Sequence, residues 1–170
     1  MSSAEVREDE VDRIIAAWGR ARPDLDVSPL AVLSRVSRLD RHLDLARRGA
    51  FARHQLEPWE FDVLAALRRA GEPHVLSPGA LVTQTMVTSG TMTNRIDRLA
   101  SRGLVERAPS PDDRRGVLVR LTDDGLARVD AAFSDLLAVE HEVLTVLDPA
   151  DEPAITDLLR RLVAQFDTLG

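Results

Sequence analysis

The stretch Ser77-Pro-Gly-Ala-Leu-Val-Thr-Gln-Thr-Met-Val-Thr-Ser-Gly-Thr-Met-Thr-Asn-Arg-Ile-Asp-Arg-Leu-Ala-Ser-Arg-Gly103 predicts two helices joined by a tight turn. Ser77 is a suitable N-cap, and Pro78 stands at the first helical position, where its missing N–H costs nothing. The hydroxyl of Ser89 can cap the second helix, which ends near Arg102. Gly103 then favours the positive φ of a C-cap residue. The stretch therefore predicts a helix-turn-helix.

The second helix has one apolar face. Met92, Ile96 and Leu99 are spaced by four and three residues, which places them together on a buried side. The other faces are small, polar or basic, a composition that suits a helix lying in the major groove of DNA. We predict base-edge contacts from Ser89, Thr91, Thr93, Asn94 or Arg95, and backbone contacts from Thr88 and Arg98.

A hairpin is predicted after this helix. Residues 104–107 and 117–121 are typical of strands, and the segment between them holds two prolines, a glycine and four charges. Arg114 and Arg115 at its tip suit a minor groove, which is narrow and negative, and Asp113 can orient one of them through a bidentate pair. The alternative is a solvated hairpin tip. Together these elements predict a winged helix-turn-helix.

The wing carries a motif, Asp113-x-Arg115-x-x-x-Val119-x-Leu121-Thr122-x-x-Gly125, that resembles the wing signature of the MarR family of transcriptional regulators. The segment from Asn94 to Val105 is similar to that family's recognition helix and the entry to its wing. The resemblance extends in pattern over nearly the whole chain. It implies a mainly α fold (α+β), a winged helix-turn-helix with long N- and C-terminal dimerisation helices.

Composition limits the classes of function. The chain has 170 residues, of which 44% are hydrophobic, and this predicts a globular protein. It contains no Cys, which excludes disulfides, thiolate zinc sites and thiol-based peroxide sensing. No signal peptide or membrane-spanning run is evident, so we expect a cytoplasmic protein without a membrane partner.

The charge is distributed unevenly. The net charge is −6, but residues 89–120 hold seven Arg against four acids, so that region carries +3 and the remainder −9. The local field is the one that matters for binding double-stranded DNA. An acidic remainder also limits non-specific DNA binding.

Long amphipathic helices are predicted at both ends of the chain. We expect them over residues 1–22, from Ser28 to about Leu56 with a possible end or bend at Gly49, over 123–147 and over 150–168. One DNA-binding lobe cannot bury all their apolar faces, so we predict an intertwined homodimer. The expected division is 1–56 for N-terminal dimerisation and ligand-facing helices, 57–122 for the DNA-binding lobe, and 123–170 for C-terminal dimerisation helices.

Catalytic chemistry is not indicated. His42, His54, His74 and His141 are scattered, without the spacing of a paired-histidine metal site. There is no glycine-rich phosphate loop and no nucleophile elbow. We therefore predict no catalytic residue, no metal and no cofactor.

A ligand site is implied by the resemblance. Trp18, Asp62 and Arg95 resemble the set used by the urate-responsive branch of the family, which also carries an extra N-terminal helix. In that site Trp18 would contact the ring, Arg95 would pair with the anionic side, and Asp62 would be displaced by charge repulsion. The alternatives are a core or dimer anchor for Trp18, a surface acid for Asp62 and a plain DNA contact for Arg95.

The predicted function is that of a dimeric repressor. It would bind a pseudo-palindromic operator with half-sites about 10 bp apart and be released by a small anionic effector such as urate or an organic acid. Three alternatives remain: a constitutive DNA-binding protein without an effector, a small-molecule-binding enzyme on a similar scaffold, and a protein–protein adaptor.

Overall fold

The computed structural model describes residues 8–109 and 116–167. In that part of the chain the elements are α1 Glu10–Ala21, α2 Leu30–Arg53, α3 Pro58–Arg69, β1 Val75–Leu76, α4 Pro78–Thr85, α5 Ser89–Ser101, β2 Val105–Pro109, β3 Val117–Leu121, α6 Asp123–Leu144 and α7 Asp151–Asp167. The chain forms two compact units, Met1–Ala46 and Arg47–Gly170. The predicted mainly α fold with a small sheet is confirmed.

The first unit joins α1 to the first part of α2 through charged groups. Asp9 caps α1, where its Oδ1 accepts from the backbone N–H of Asp12 at 3.0 Å and its own N–H donates to Asp12 Oδ2 at 3.0 Å. Arg35 of α2 donates to Asp9 Oδ2 at 2.9 Å and to Asp12 Oδ1 at 2.7 Å. One guanidinium therefore ties the start of α1 to α2.

The core of the second unit is built around α3. Val63, Leu64, Ala66 and Leu67 are fully buried, because α3 packs against α4, α6 and β3. The end of α2 reaches the same core, where the rings of Phe51 and Phe61 stack with centroids 4.1 Å apart. The predicted apolar face of α5 is confirmed: Met92, Ile96 and Leu99 are all buried.

The three strands form an antiparallel sheet in the order β1-β3-β2. The hairpin register pairs Val105 with Leu121 and Pro109 with Val117. The short strand β1, just before α4, pairs Val75 with Arg120 of β3. The sheet therefore supports the base of the wing on the helix-turn-helix.

The wing is joined closely to α6 at Gly125. A Cβ at this position would lie 2.0 Å from the carbonyl oxygen of Leu104, so only glycine fits. Thr122 caps α6 by accepting from the Gly125 N–H at 3.1 Å, and its hydroxyl donates to the carbonyl oxygen of Gly103 at 2.7 Å. These contacts give a physical reason for the Thr122-x-x-Gly125 part of the motif.

One detail of the predicted helices is wrong. The N-cap of α5 is Thr88 rather than Ser89: Thr88 has the extended backbone of a cap residue (φ −74°, ψ 156°), and its Oγ1 accepts from the Thr91 N–H at 3.3 Å. Gly49 does not end α2, which continues to Arg53. Two residues after the end of the helix, Gln55 has a positive φ of 58°.

Several helices expose large hydrophobic side chains. These are Val32, Leu33, Val36, Leu39 and Leu45 on α2, Phe133, Leu137, Val143 and Leu144 on α6, and Ile155, Leu158, Leu159, Leu162, Val163 and Phe166 on α7. Such faces are far more extensive than the scattered apolar residues of an ordinary surface. Within residues 8–109 and 116–167, no helix is both long enough and apolar enough to span a membrane.

Candidate nucleic-acid interface

The helix-turn-helix is built by two caps and one left-handed residue. Ser77 accepts from the Ala80 N–H at 3.1 Å and so begins α4 where the sequence predicts. Met86 ends α4 with φ 51° and ψ 42°, which turns the chain before Thr88 starts α5. Met86 and the Thr88 cap therefore define the turn between the two helices.

The face of α5 opposite the core carries the predicted DNA contacts. Ser89, Thr91, Thr93, Asn94 and Arg98 are exposed, and Arg95 is half-buried. Local bonds order two of the threonine hydroxyls: Thr93 donates to the carbonyl oxygen of Ser89 at 3.0 Å, and Thr91 lies 2.9 Å from the Thr88 hydroxyl. The predicted side chains are thus accessible, Arg95 only in part.

An aromatic ring lies beside this surface. The guanidinium carbon of Arg98 is 4.6 Å from the ring centroid of Trp59, and that of Arg95 is 5.5 Å from it. An open cavity of about 270 Å³ is lined by Trp59, Thr91, Asn94, Arg95 and Arg98. The sequence gives no local signal for this role of Trp59, because the two arginines are distant from it along the chain.

The C-terminal end of α5 is held by a buried carboxylate. Glu60 of α3 is only 2% exposed. Arg102, the C-cap residue of α5, donates to Glu60 Oε2 and to the carbonyl oxygen of Gln55. The Glu57 N–H donates to the same Glu60 Oε2 at 3.0 Å. The first turn of α3 therefore contacts three arginines of α5, at positions 95, 98 and 102.

The proposed ligand residues fall in both compact units. Asp62 and Arg95 lie in the second unit and interact electrostatically: partial burial raises the pKa of the Asp62 carboxyl, and the charges of Arg95, Arg69 and Arg47 oppose that rise. Trp18 lies in the first unit, where its half-exposed ring borders a groove with Ile14, Ala17 and Ala21. The structure therefore relates two members of the triple to each other.

The wing-tip residues Asp113, Arg114 and Arg115 lie outside the described residues. The flanking strands end at Pro109 and begin again at Val117. The contacts predicted for the tip remain predictions.

The histidines have ordinary partners where they are bonded. His54 Nε2 lies 3.0 Å from Asp135 Oδ2, and His141 Nδ1 lies 2.7 Å from the carbonyl oxygen of Leu137. In the part of the chain that the structure describes, no three His, Cys, Asp or Glu side chains are grouped so that they could hold a metal ion.

Comparison with known proteins identifies the class. The sequence model of the MarR family matches residues 54–116. The HTH-type transcriptional regulator PecS of Dickeya dadantii is 36% identical over 153 residues, which cover 90% of this chain and 92% of PecS. The chain therefore belongs to the MarR family. Since this is a family of transcription regulators, the prediction that the protein is not an enzyme is confirmed.

Two solved structures share the architecture. A mutant MarR from E. coli, complexed with operator DNA, matches with a TM-score of 0.64 and 25% identity over 92% of this chain and 99% of that one. BpsR of Bordetella bronchiseptica, whose DNA binding is regulated by 6-hydroxynicotinic acid, matches with a TM-score of 0.63 and 30% identity over 77% of this chain and 91% of that one.

Proposed function

We propose that this chain represses transcription by binding a pseudo-palindromic operator as a homodimer, and that a small anionic ligand releases it. The observation that carries the proposal is the exposed polar and basic face of α5, which is backed by a fully buried apolar face. A helix held in this way can enter a major groove without losing its packing. The complex of a related MarR with operator DNA supports DNA binding by this chain.

The contacts divide by chemistry. Asn94, Thr91 and the N-terminal residues Ser89 and Thr93 are short and polar, so they suit base edges, whereas Thr88 and Arg98 suit phosphates. Arg95 can serve either role. The tip residues Asp113, Arg114 and Arg115 complete the interface in the minor groove, as the family resemblance implies.

Dimerisation is supported by the exposed apolar faces. The helices within residues 1–56 and 123–170 carry most of the large exposed hydrophobic side chains, while residues 57–122 form the DNA-binding lobe. Covering these faces with a second copy would bury well over ~2,000 Å² in total, the size of an obligate interface. A dimer mass in light scattering at micromolar concentration supports this assignment, and a monomer mass contradicts it.

The release step is supported by the electrostatics near α5. An anion needs a cation, and Arg95 lies on the helix proposed to contact DNA. The same anion would repel the ionised Asp62, whose carboxyl interacts with Arg95, so ligand binding would shift α3 or protonate Asp62. Trp18 would supply a ring contact. Regulation of BpsR by a planar organic acid is a precedent for this kind of ligand.

The experiment that tests the function is enrichment of bound sequences from random double-stranded DNA, repeated with urate, xanthine, citrate and aromatic acids. We expect an enriched pseudo-palindrome with half-sites about one helical turn apart. One of the ligands should weaken binding by about 5- to 150-fold. No enrichment at low salt would refute the DNA-binding function.

The ligand site is tested separately by calorimetry without DNA. Trp18→Ala and Arg95→Ala should each lose ligand affinity relative to wild type. If every candidate ligand binds the two variants as well as wild type, the pocket lies elsewhere. If an operator is found and no ligand alters its affinity, the constitutive DNA-binding alternative is favoured.

A further inference from the structure

Trp59 lies in the first turn of α3, beneath two arginines of α5. Arg95 and Arg98 are three residues apart, so they project from the same side of the helix. Their guanidinium carbons lie 5.5 Å and 4.6 Å from the centroid of the indole ring. Both distances are within the range of a cation–π interaction, which extends to about 6 Å.

The two arginines differ from their neighbours in how they are held. Arg102, Arg107 and Arg120 each pair with a carboxylate, contributed by Glu60, Asp97 and Glu106 respectively. Among the residues at 8–109 and 116–167, neither Arg95 nor Arg98 has a carboxylate oxygen within 4 Å, although Arg95 interacts with Asp62 at longer range.

This difference matters for binding an anion. A carboxylate partner neutralises a guanidinium and occupies its N–H donors, so a phosphate must displace it. An aromatic face attracts the cation through its quadrupole and leaves the charge and the N–H edge available. Arg95 and Arg98 are therefore held in place without losing the groups that recognise DNA.

The ring itself is fixed. Trp59 Nε1 donates to Glu57 Oε2 at 2.9 Å, and the side chain is partly buried against the hydrophobic core. Pro58 precedes it at the first position of α3, which limits the backbone at this turn. The position of the Trp59 ring is therefore restricted by its backbone, by its contact with the core and by the hydrogen bond of its indole nitrogen. The flexible side chains of the arginines can pack against it.

We propose that Trp59 is a positioning residue for DNA binding: it orders Arg95 and Arg98 before contact, with their charge intact. This inference rests on the proposed function. An arginine ordered in advance loses less side-chain freedom when it meets a phosphate, and less of the interaction energy is then spent on ordering. The ring remains under the guanidinium in the complex, so the cation–π attraction is retained.

The test is a double-mutant cycle on the enriched operator. Trp59→Leu retains an apolar side chain but removes the aromatic face. We expect it to bind the operator about 5- to 20-fold more weakly than wild type, because binding must then order two arginine side chains that the ring no longer holds in place. The same Trp59→Leu change is then made in an Arg98→Ala background. There it should lower the logarithm of the operator affinity by less than half as much as in wild type, because one of the two arginines is absent.

Arg107→Ala is the matched control. Arg107 pairs with Asp97 and does not contact the ring, so the Trp59→Leu effect should be the same in this background as in wild type. Trp59→Phe retains an aromatic face and should recover most of the affinity. Thermal unfolding of each variant, with its midpoint compared with wild type, separates a lost contact from a damaged fold.

Each outcome decides the proposal. If Trp59→Leu binds as tightly as wild type, or loses the same factor with and without Arg98, Trp59 does not position the arginines. If Trp59→Leu does not fold, Trp59→Phe in the two Arg98 backgrounds replaces it, and absence of coupling there overturns the inference. If wild type binds no DNA, the proposed function fails and the inference fails with it. If wild type binds the operator and Trp59→Leu binds it equally tightly, the inference about Trp59 is wrong but the proposed function stands.

Discussion

Arg102, at the C-terminal end of α5, pairs with the buried Glu60 of α3 and also donates to the carbonyl oxygen of Gln55 at 2.6 Å. The C-terminal end of α5 is thus attached to the first turn of α3 and to the turn that precedes it. Because Glu60 is almost completely enclosed, this pair differs from the other ion pairs on the same lobe, which are exposed to solvent.

We predict that Arg102→Ala lowers the free energy of unfolding by about 3–5 kcal/mol, because it leaves a buried carboxylate without its cationic partner. Arg107→Ala is the matched control: its partner Asp97 is exposed, so it should cost no more than about 1 kcal/mol. Urea denaturation measures both. If the two variants lose the same free energy of unfolding, the burial of Glu60 does not make its ion pair more important for stability than an exposed pair.

Gly125 gives a prediction about the wing. Gly125→Ala places a methyl group against the Leu104 carbonyl oxygen, so the start of α6 must move off the hairpin. We expect a loss of at least about 1–3 kcal/mol in stability. Gly49→Ala, inside α2 with no atom within 4 Å of the added Cβ, should instead stabilise the protein by up to about 1 kcal/mol. If Gly125→Ala and Gly49→Ala change the free energy of unfolding in the same direction, the close approach of Gly125 to Leu104 does not exclude a side chain.

The N-cap of α5 gives a third prediction. Thr88→Ala should destabilise the protein by about 0.5–2 kcal/mol, because the Thr91 N–H loses its acceptor. Ser89→Ala should change the free energy of unfolding by less than about 0.5 kcal/mol, as expected for an exposed site outside such a cap. Thermal or urea unfolding distinguishes the two. A larger loss of stability in Ser89→Ala than in Thr88→Ala would show that Ser89 is the N-cap, as the sequence predicts.

The first unit carries a pH-dependent contact. Bonding to Arg35, and then to the Asp12 N–H, lowers the pKa of the Asp9 carboxyl from 3.8 to about 2. Since the folded pKa is the lower one, the stabilisation is present above about pH 4 and is lost as the pH falls towards 2. A carboxyl-detected NMR titration should show this low pKa in wild type, and Arg35→Ala should bring it back towards 3.8. A value near 3.8 in both proteins would contradict the assigned contact.

Much of the fold was predictable because its signals are local. The apolar spacing of Met92, Ile96 and Leu99 predicted which face of α5 is buried, and Ser77-Pro78 predicted where α4 begins. The choice between Thr88 and Ser89 was not predictable in the same way. Two adjacent hydroxyl residues can each cap a helix, and only the backbone conformation shows which one does.

The support beneath α5 could not be predicted from spacing, because its partners are distant in sequence. Trp59 of α3 contacts Arg98 of α5, and Glu60 of α3 contacts Arg102 at the end of α5. Nothing in the local pattern of either helix specifies which aromatic or acidic residue will face which arginine. The motif containing Gly125 was recognised by resemblance, whereas its cause, the approach to Leu104, is visible only in three dimensions.

The exposed face of α5 is proposed to bind DNA with sequence specificity. The most direct measurement is the affinity of wild type, Asn94→Ala and Arg98→Ala for the enriched operator and for a scrambled duplex, across a range of salt concentrations. Asn94→Ala should reduce the preference for the operator by about 1–3 kcal/mol, while Arg98→Ala should weaken both duplexes alike and reduce the salt slope by about one. A wild type that binds both duplexes equally, or variants whose affinities and salt slopes match wild type, would contradict the account.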